Sequence, residues 1–148
     1  MISTKELWGL ILNEVMTREE KYLYWFQLAQ YDLESADTMC KGGRWFYVAF
    51  MCQQAMEKLC KGLYNFYVDD NVPKVHNIRF ILSKIETMLS ITVDASVYQL
   101  ADSLSAYYLH NRYPDFVSRV NLEIDENHAV SILEKTKGAF EWLLTLKK

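Results

Sequence analysis

The stretch from Arg44 to Tyr67 constrains the fold of this chain more than any other part of it. Apolar residues fall on nearly every side of a helix of that length. They are Phe46, Ala49, Phe50, Cys52, Met56, Leu59, Cys60, Leu63 and Phe66. A helix that is apolar all round is stable only when its neighbours bury it. The sequence therefore predicts a central helix that other elements enclose.

Five further segments repeat apolar residues at steps of three and four, which is the spacing of one helix face. These predicted helices cover residues 3–16, 18–41, 76–89, 95–110 and 125–146. Gly42-Gly43 is predicted to end the helix over 18–41, because glycine commonly follows a helix C-terminus. Pro114 is predicted to break the chain after residue 110, since proline cannot continue a helix.

Composition and length favour the same fold class. The chain has 148 residues but only five glycines and two prolines, too few for the tight turns of an all-β fold. A length of about 150 residues is typical of one domain. We therefore expect residues 1–148 to form a single all-α domain, an up-and-down four-helix bundle with additional short helices.

The charge balance and the cysteines exclude several classes of protein. The chain contains sixteen Lys and Arg and nineteen Asp and Glu, which gives a net charge of −3. Any nucleic-acid contact must therefore use a local basic patch. The three cysteines include no C-x-x-C pair, which argues against disulfides and zinc. No uncharged run reaches the roughly 18 residues of a membrane span, and the N-terminus lacks a signal-peptide pattern. We expect a cytoplasmic protein without a membrane partner.

The polar residues of the central helix are the informative ones. They are Gln53, Gln54, Glu57, Lys58 and Lys61. Burying an unpaired amide costs about 1–3 kcal/mol, and a charge costs more, so each must meet a partner, a rim or a ligand. Glu57 and Lys61 are spaced as a stabilising i,i+4 ion pair. Two interpretations stay open: a solvated pair at a rim, or one wall of a cleft in which lysines meet a phosphate.

Four segments carry a resemblance to a known family. The first holds Trp25, Ala29, Asp32, Leu33 and Ala36, and the second is Gln53-Gln54-Ala55-Met56-Glu57-Lys58 followed by Lys61. The third is Val75-His76-Asn77-Ile78, and the fourth runs from Tyr108 through Arg112-Tyr113-Pro114-Asp115. In this order the segments resemble the HEPN domain, the helical module named for higher eukaryotes and prokaryotes nucleotide-binding. The resemblance extends from about residue 22 to about residue 144.

The resemblance implies an up-and-down helical bundle that usually dimerises. It also implies a minimal nucleotidyltransferase encoded beside the domain or fused to it, in toxin–antitoxin or related pairs. We therefore expect a homodimer, a nucleotidyltransferase partner, and a nucleotide or RNA ligand. Apolar side chains beyond the needs of one bundle, including Trp8, Trp45 and Trp142, also favour a homodimer.

The predicted ligand-binding residues combine the polar central helix with the last two segments of the resemblance. They are Gln54, Glu57, Lys58, Lys61, His76, Arg112, Tyr113 and Asp115. The guanidinium of Arg112 suits a phosphate, although it could instead cap the preceding helix or pair with Glu57 or Asp115. His76 could equally be a hydrogen-bonded structural residue at a helix start. We expect no cofactor and no metal, because Glu126 and His128 lack the spacing of a di-iron helix motif.

Many members of the wider superfamily are metal-independent ribonucleases with an Arg and a His separated by about four to six residues. Such a pair would supply a base and a cation for the phosphorane. No His follows Arg112 at that distance, since the next is His128. We therefore expect a non-catalytic or weakly catalytic protein. The alternatives are a ribonuclease that pairs Arg112 with a displaced base, His110 or His76, and a scaffold without a ligand.

Overall fold

The computed structural model describes residues 1–110 and 124–148, and for residues 11–15, 109 and 110 it describes the backbone alone. The described residues form six helices and no strand, so the chain is all-α as predicted. The helices are α1 (Thr4–Val15), α2 (Arg18–Lys41), α3 (Trp45–Tyr67), α4 (Ile78–Leu89), α5 (Ala95–His110) and α6 (Glu126–Leu144).

Side-chain caps set where the first two helices begin. The Ser3 hydroxyl accepts from the Glu6 amide at 3.1 Å, and the Glu6 carboxylate accepts from the Ser3 amide at 2.9 Å. Thr17 and Glu20 exchange the same two bonds at the start of α2. Each capping box satisfies amides that a helix start otherwise leaves unpaired. At the other end of α2, Gly43 has a φ of 70°, which a glycine adopts without strain.

The predicted start of α4 is wrong by two residues. Asn77 caps this helix, because its side-chain oxygen accepts from the Phe80 amide at 3.1 Å. The helix therefore begins at Ile78, and His76 lies in the loop before it instead of opening it. This places His76 beside α3 and not within the first turn of α4.

The four long helices alternate in direction, as the prediction of an up-and-down bundle requires. Asp32 of α2 pairs with Lys58 of α3. Seven residues earlier on α2, the Trp25 indole donates to Asn65, which lies seven residues later on α3. These two helices are therefore antiparallel. Helix α6 runs antiparallel to α2, since Lys137 of α6 pairs with Asp37 near the end of α2, and Lys147, three residues after α6, pairs with Glu19 near its start.

Helix α5 runs antiparallel to α3. The ring of Phe46 near the start of α3 lies 6.1 Å from that of Tyr107 near the end of α5. Tyr98 near the start of α5 lies by Cys60 in the second half of α3. Thus α2, α3, α5 and α6 form the bundle, and the shorter α4 packs against α3 and α5.

Helix α3 is the centre of the core, as its sequence predicts. Of its 23 residues, 13 are buried, and it contacts α2, α4, α5 and α6. Helix α2 approaches it closely at Gly62, where a Cβ would lie 2.9 Å from the Cβ of Trp25. This packing fixes the polar side chains of α3 against α2 on one side and the loop before α4 on the other.

Helix α1 leaves much of its apolar surface exposed. Leu7, Trp8 and Leu10 are 50%, 60% and 46% exposed. Trp45 and Trp142, in contrast, are half-buried and pack against the core, so the expectation that all three tryptophans supply spare apolar surface holds only for Trp8. None of the helices in the described ranges is long and apolar enough to cross a membrane.

Candidate functional site

Glu57 is the buried centre of a polar cluster on α3. The residue is only 4% exposed, and its two oxygens accept from Gln53 Nε2 at 3.0 Å and from Lys61 Nζ at 3.2 Å. His76 Nδ1 lies 3.1 Å from both oxygens. A buried carboxylate is tolerable only with such partners. The predicted Glu57–Lys61 pair therefore exists, but it is buried and not a solvated pair at a rim.

The bond to Glu57 fixes the orientation of His76. Because both oxygens of Glu57 act as acceptors, the hydrogen between the two groups must sit on Nδ1 of the imidazole. In the neutral ring, Nε2 then carries the lone pair. The His76 ring stacks on Tyr108 with centroids 3.8 Å apart and planes 22° apart. Among the described residues no hydrogen-bond partner meets Nε2, and the side chain is 39% exposed.

The two predicted phosphate-binding lysines both have carboxylate partners within the chain. Lys58 donates to Asp32 of α2, and Lys61 donates to Glu57. The Lys61 ammonium also lies 5.9 Å from the ring centre of Trp25. Their charges are therefore largely offset before any ligand arrives, and their binding to a phosphate stays a prediction.

Gln54 occupies the half-buried edge of the cluster. Its Nε2 donates to the side-chain oxygen of Gln53 at 2.6 Å, and Gln53 in turn donates to Glu57. This chain of donors leaves the side-chain oxygen of Gln54 able to accept a further hydrogen bond. Among the described residues, Gln54 Oε1 and His76 Nε2 are therefore acceptors of the cluster that no donor meets.

The structure brings four predicted ligand-binding residues into one hydrogen-bonded cluster. Gln54, Glu57 and Lys61 lie along α3, and His76 joins them from the loop before α4. Lys58 also lies on α3 but pairs with Asp32 of α2 instead. The predicted Arg112, Tyr113 and Asp115 lie outside the described residues. His110 is the last residue of α5, and its side chain is also outside the described part.

The predicted ligand-binding set leaves out three residues that contact its members or their neighbours. Asp32 neutralises Lys58, Tyr108 stacks on His76, and Asn65 accepts from the Trp25 indole at 2.8 Å. A signal for Asp32 was available. In an antiparallel hairpin that turns at Gly42-Gly43, residues before the turn lie opposite residues after it, and Asp32, ten positions before Gly42, lies opposite Lys58, fifteen positions after Gly43.

A model of the HEPN domain family matches residues 22–146, which is most of the chain. This chain belongs to the HEPN domain family. The match begins at residue 22, within α2, and contains the rest of that helix and all of α3 to α6. The cluster around Glu57 is therefore part of the family domain.

Two solved structures share the fold. An archaeal HEPN homologue, ST0689, is 26% identical with a TM-score of 0.67, over 86% of this HEPN chain and 98% of the homologue. TT1696 from Thermus thermophilus is 22% identical with a TM-score of 0.73, over 84% of this chain and 97% of the other. A search of curated proteins gave no significant match.

Proposed function

We propose that this HEPN protein binds a nucleotide at the cluster around Glu57 and acts as a non-catalytic partner of a minimal nucleotidyltransferase. One observation carries the proposal: Glu57 holds His76 through Nδ1, and the ring is stacked on Tyr108, 39% exposed, and without a partner at Nε2 among the described residues. A planar base finds there both an aromatic surface and hydrogen-bonding groups.

The burial of Glu57 supports a role beyond packing. A buried ionic cluster is often no more stabilising than apolar residues of the same volume. Helix α3 could pack among its neighbours without it, as its remaining buried residues are nearly all apolar. The cluster instead holds one imidazole in one orientation, which is what a binding group requires.

Arg112 is our proposed phosphate ligand. Lys58 and Lys61 already pair with carboxylates, so a further cation is needed to attract a phosphate. Arg112 follows the last residue of α5 by two positions in the sequence, and Tyr108 on α5 already contacts His76. A guanidinium there would bind phosphate oxygens in a bidentate manner, with Tyr113 and Asp115 completing the predicted set.

We also propose a homodimer and a toxin–antitoxin or related pairing with the nucleotidyltransferase. Membership of the HEPN family supports both, since the resemblance implies them. The exposed Leu7, Trp8 and Leu10 of α1 supply apolar surface that a dimer contact could cover.

A thermal-shift experiment tests nucleotide binding. The full chain is melted alone and with millimolar adenine and guanine mono-, di- and triphosphates. A ligand that binds only the native state raises the midpoint, by roughly 3–5 °C at about ten times its Kd. If no nucleotide moves the midpoint, the chain is a scaffold and the proposal is wrong.

The second candidate is a metal-independent ribonuclease, and the Glu57–His76 pair is the observation that favours it. A carboxylate on Nδ1 orients an imidazole so that its other nitrogen can act as a general base. His76 would be that base, with His110 as the alternative, and Arg112 would stabilise the phosphorane charge.

Incubation with total RNA in the presence of a chelator tests this candidate. The wild type is compared with His76→Ala, Arg112→Ala and the control Lys84→Ala, whose side chain lies on α4 beside Phe80. Cleavage by the wild type and the control, lost in both other variants, would support it. No cleavage by the folded wild type, or cleavage that survives both substitutions, excludes it.

A further inference from the structure

A cavity separate from the Glu57 cluster lies between α5 and α6. Its volume is about 560 Å³, within the range of roughly 300–1,000 Å³ that is typical of small-molecule sites. Apolar side chains from both helices line it, among them Val97, Leu100, Ile132 and Trp142. None of the residues around Glu57 contributes to it.

The polar lining of this cavity consists of serine hydroxyls, the Gln99 amide, the His128 imidazole and the Lys135 ammonium. Ser96 and Ser103 contribute from α5, and Ser131, Lys135 and His128 from α6. Among the described residues no carboxylate lines the cavity, although acidic residues outnumber basic ones in the chain. Within the described ranges Lys135 has no ion-pair partner, whereas Lys58, Lys61 and Lys137 each have one.

Gly138 keeps one wall of the cavity open. It lies in the interior of α6, where glycine is less favourable than alanine. No close packing explains it, because a Cβ at this position would meet no atom within 4 Å. The missing side chain therefore leaves space next to Lys135, one helical turn before it.

We propose that the α5–α6 cavity binds a small amphipathic anion. Its flat apolar body lies against Leu100, Ile132 and Trp142, and its anionic group meets Lys135. The charge of the lining selects an anion over a cation. The lining extends over about 11 Å of α5, from Ser96 to Ser103, and about 21 Å of α6, from His128 to Trp142, and the volume of about 560 Å³ suits a small molecule. This site is independent of the nucleotide site proposed above.

Fluorescence titration with two probes tests the proposal. Anilinonaphthalene sulfonate is an apolar anion, and phenylnaphthylamine is its uncharged analogue. The wild type should bind the sulfonate about fivefold more tightly, as expected for one partly screened charge contact. Lys135→Gln should remove that preference, while Lys84→Gln on α4 should keep it.

Two substitutions of one residue test the location. Gly138→Phe should fill the cavity and weaken both probes by about tenfold or more, whereas Gly138→Ala should leave binding within about twofold because the added methyl meets open space. The proposal fails if the folded Gly138→Phe variant binds like the wild type, since the probes then bind elsewhere, such as on α1. It also fails if the wild type binds the two probes equally well.

Discussion

Two cysteines of α3 show what burial does to a single titratable group. Desolvation raises the pKa of Cys52 to about 12 and that of Cys60 to about 12. Desolvation, followed by the hydrogen bond to Glu86, also raises the pKa of Tyr98 to about 12. Thiols in an unfolded chain ionise at about pH 8.5. Between that pH and 12 the native state therefore holds more protons than the unfolded state, and its stability must fall as the pH rises.

We predict a loss of stability in alkaline solution. The free energy of unfolding in urea should decrease steadily from about pH 8.5 to about pH 11, because the unfolded state releases thiol protons that the native state keeps. Cys40→Ser is the control, as Cys40 is only half-buried, and it should show the wild-type slope. Cys60→Ala should show a shallower slope. A stability that is flat across this window would contradict the burial of both thiols.

Glu57 shows which contacts of a single residue can be predicted from the sequence and which cannot. Its pairing with Lys61 followed from a spacing of four residues within one helix, which local geometry fixes. Its burial and its bond to His76 did not, because His76 is 19 residues away and reaches Glu57 only through the packing of α4 and its preceding loop on α3. Contacts between elements depend on the whole bundle, and periodicity within one segment carries no information about them.

At the scale of helices, two glycines have opposite packing environments. A Cβ on Gly62 would lie 2.9 Å from the Cβ of Trp25 and 3.4 Å from Tyr22 Cδ2. The first of these atoms is next to the backbone and cannot move without shifting α2. A Cβ on Gly138 would meet open space. The same substitution should therefore have opposite effects at the two positions.

We predict that Gly62→Ala destabilises the protein by about 1–3 kcal/mol, because α2 and α3 must separate. Gly138→Ala should stabilise it by about 0.5–1 kcal/mol, since alanine is the better helix former and no clash arises. Urea unfolding of the two variants beside the wild type measures both. If the two substitutions changed the free energy of unfolding equally and in the same direction, α2 and α3 would not be in the close contact described above.

The positions of the helices along the sequence were largely predictable, whereas the exact first residue of a helix was less so. Apolar periodicity gave α2 and α5 their observed bounds and placed α3 within one residue. The start of α4 depended on the side chain of Asn77, which caps the helix so that it begins at Ile78, two residues after the predicted start. A cap is one hydrogen bond and leaves little trace in a hydrophobic pattern.

At the scale of the molecule, two features of α1 bear on the proposed dimer. It precedes the region that matches the HEPN family model and exposes Leu7, Trp8 and Leu10. The sequence suggested that Trp8, Trp45 and Trp142 all supply spare apolar surface, but Trp45 and Trp142 pack against the core. A composition cannot tell which face of a helix a residue occupies. The proposed dimer contact is not restricted to α1, because large apolar side chains are exposed on other helices as well, among them Tyr31 at 70% and Met88 at 53%.

The proposed nucleotide site depends on His76 being held by Glu57 with Nε2 available to the ligand. Calorimetric titration of the nucleotide that gives the largest thermal shift tests this most directly, with the wild type, His76→Ala and the control Lys84→Ala. We predict that His76→Ala weakens binding by about tenfold, the equivalent of one hydrogen bond and its stacking surface, and that Lys84→Ala binds like the wild type. Equal affinities for the wild type and a folded His76→Ala variant would contradict the account.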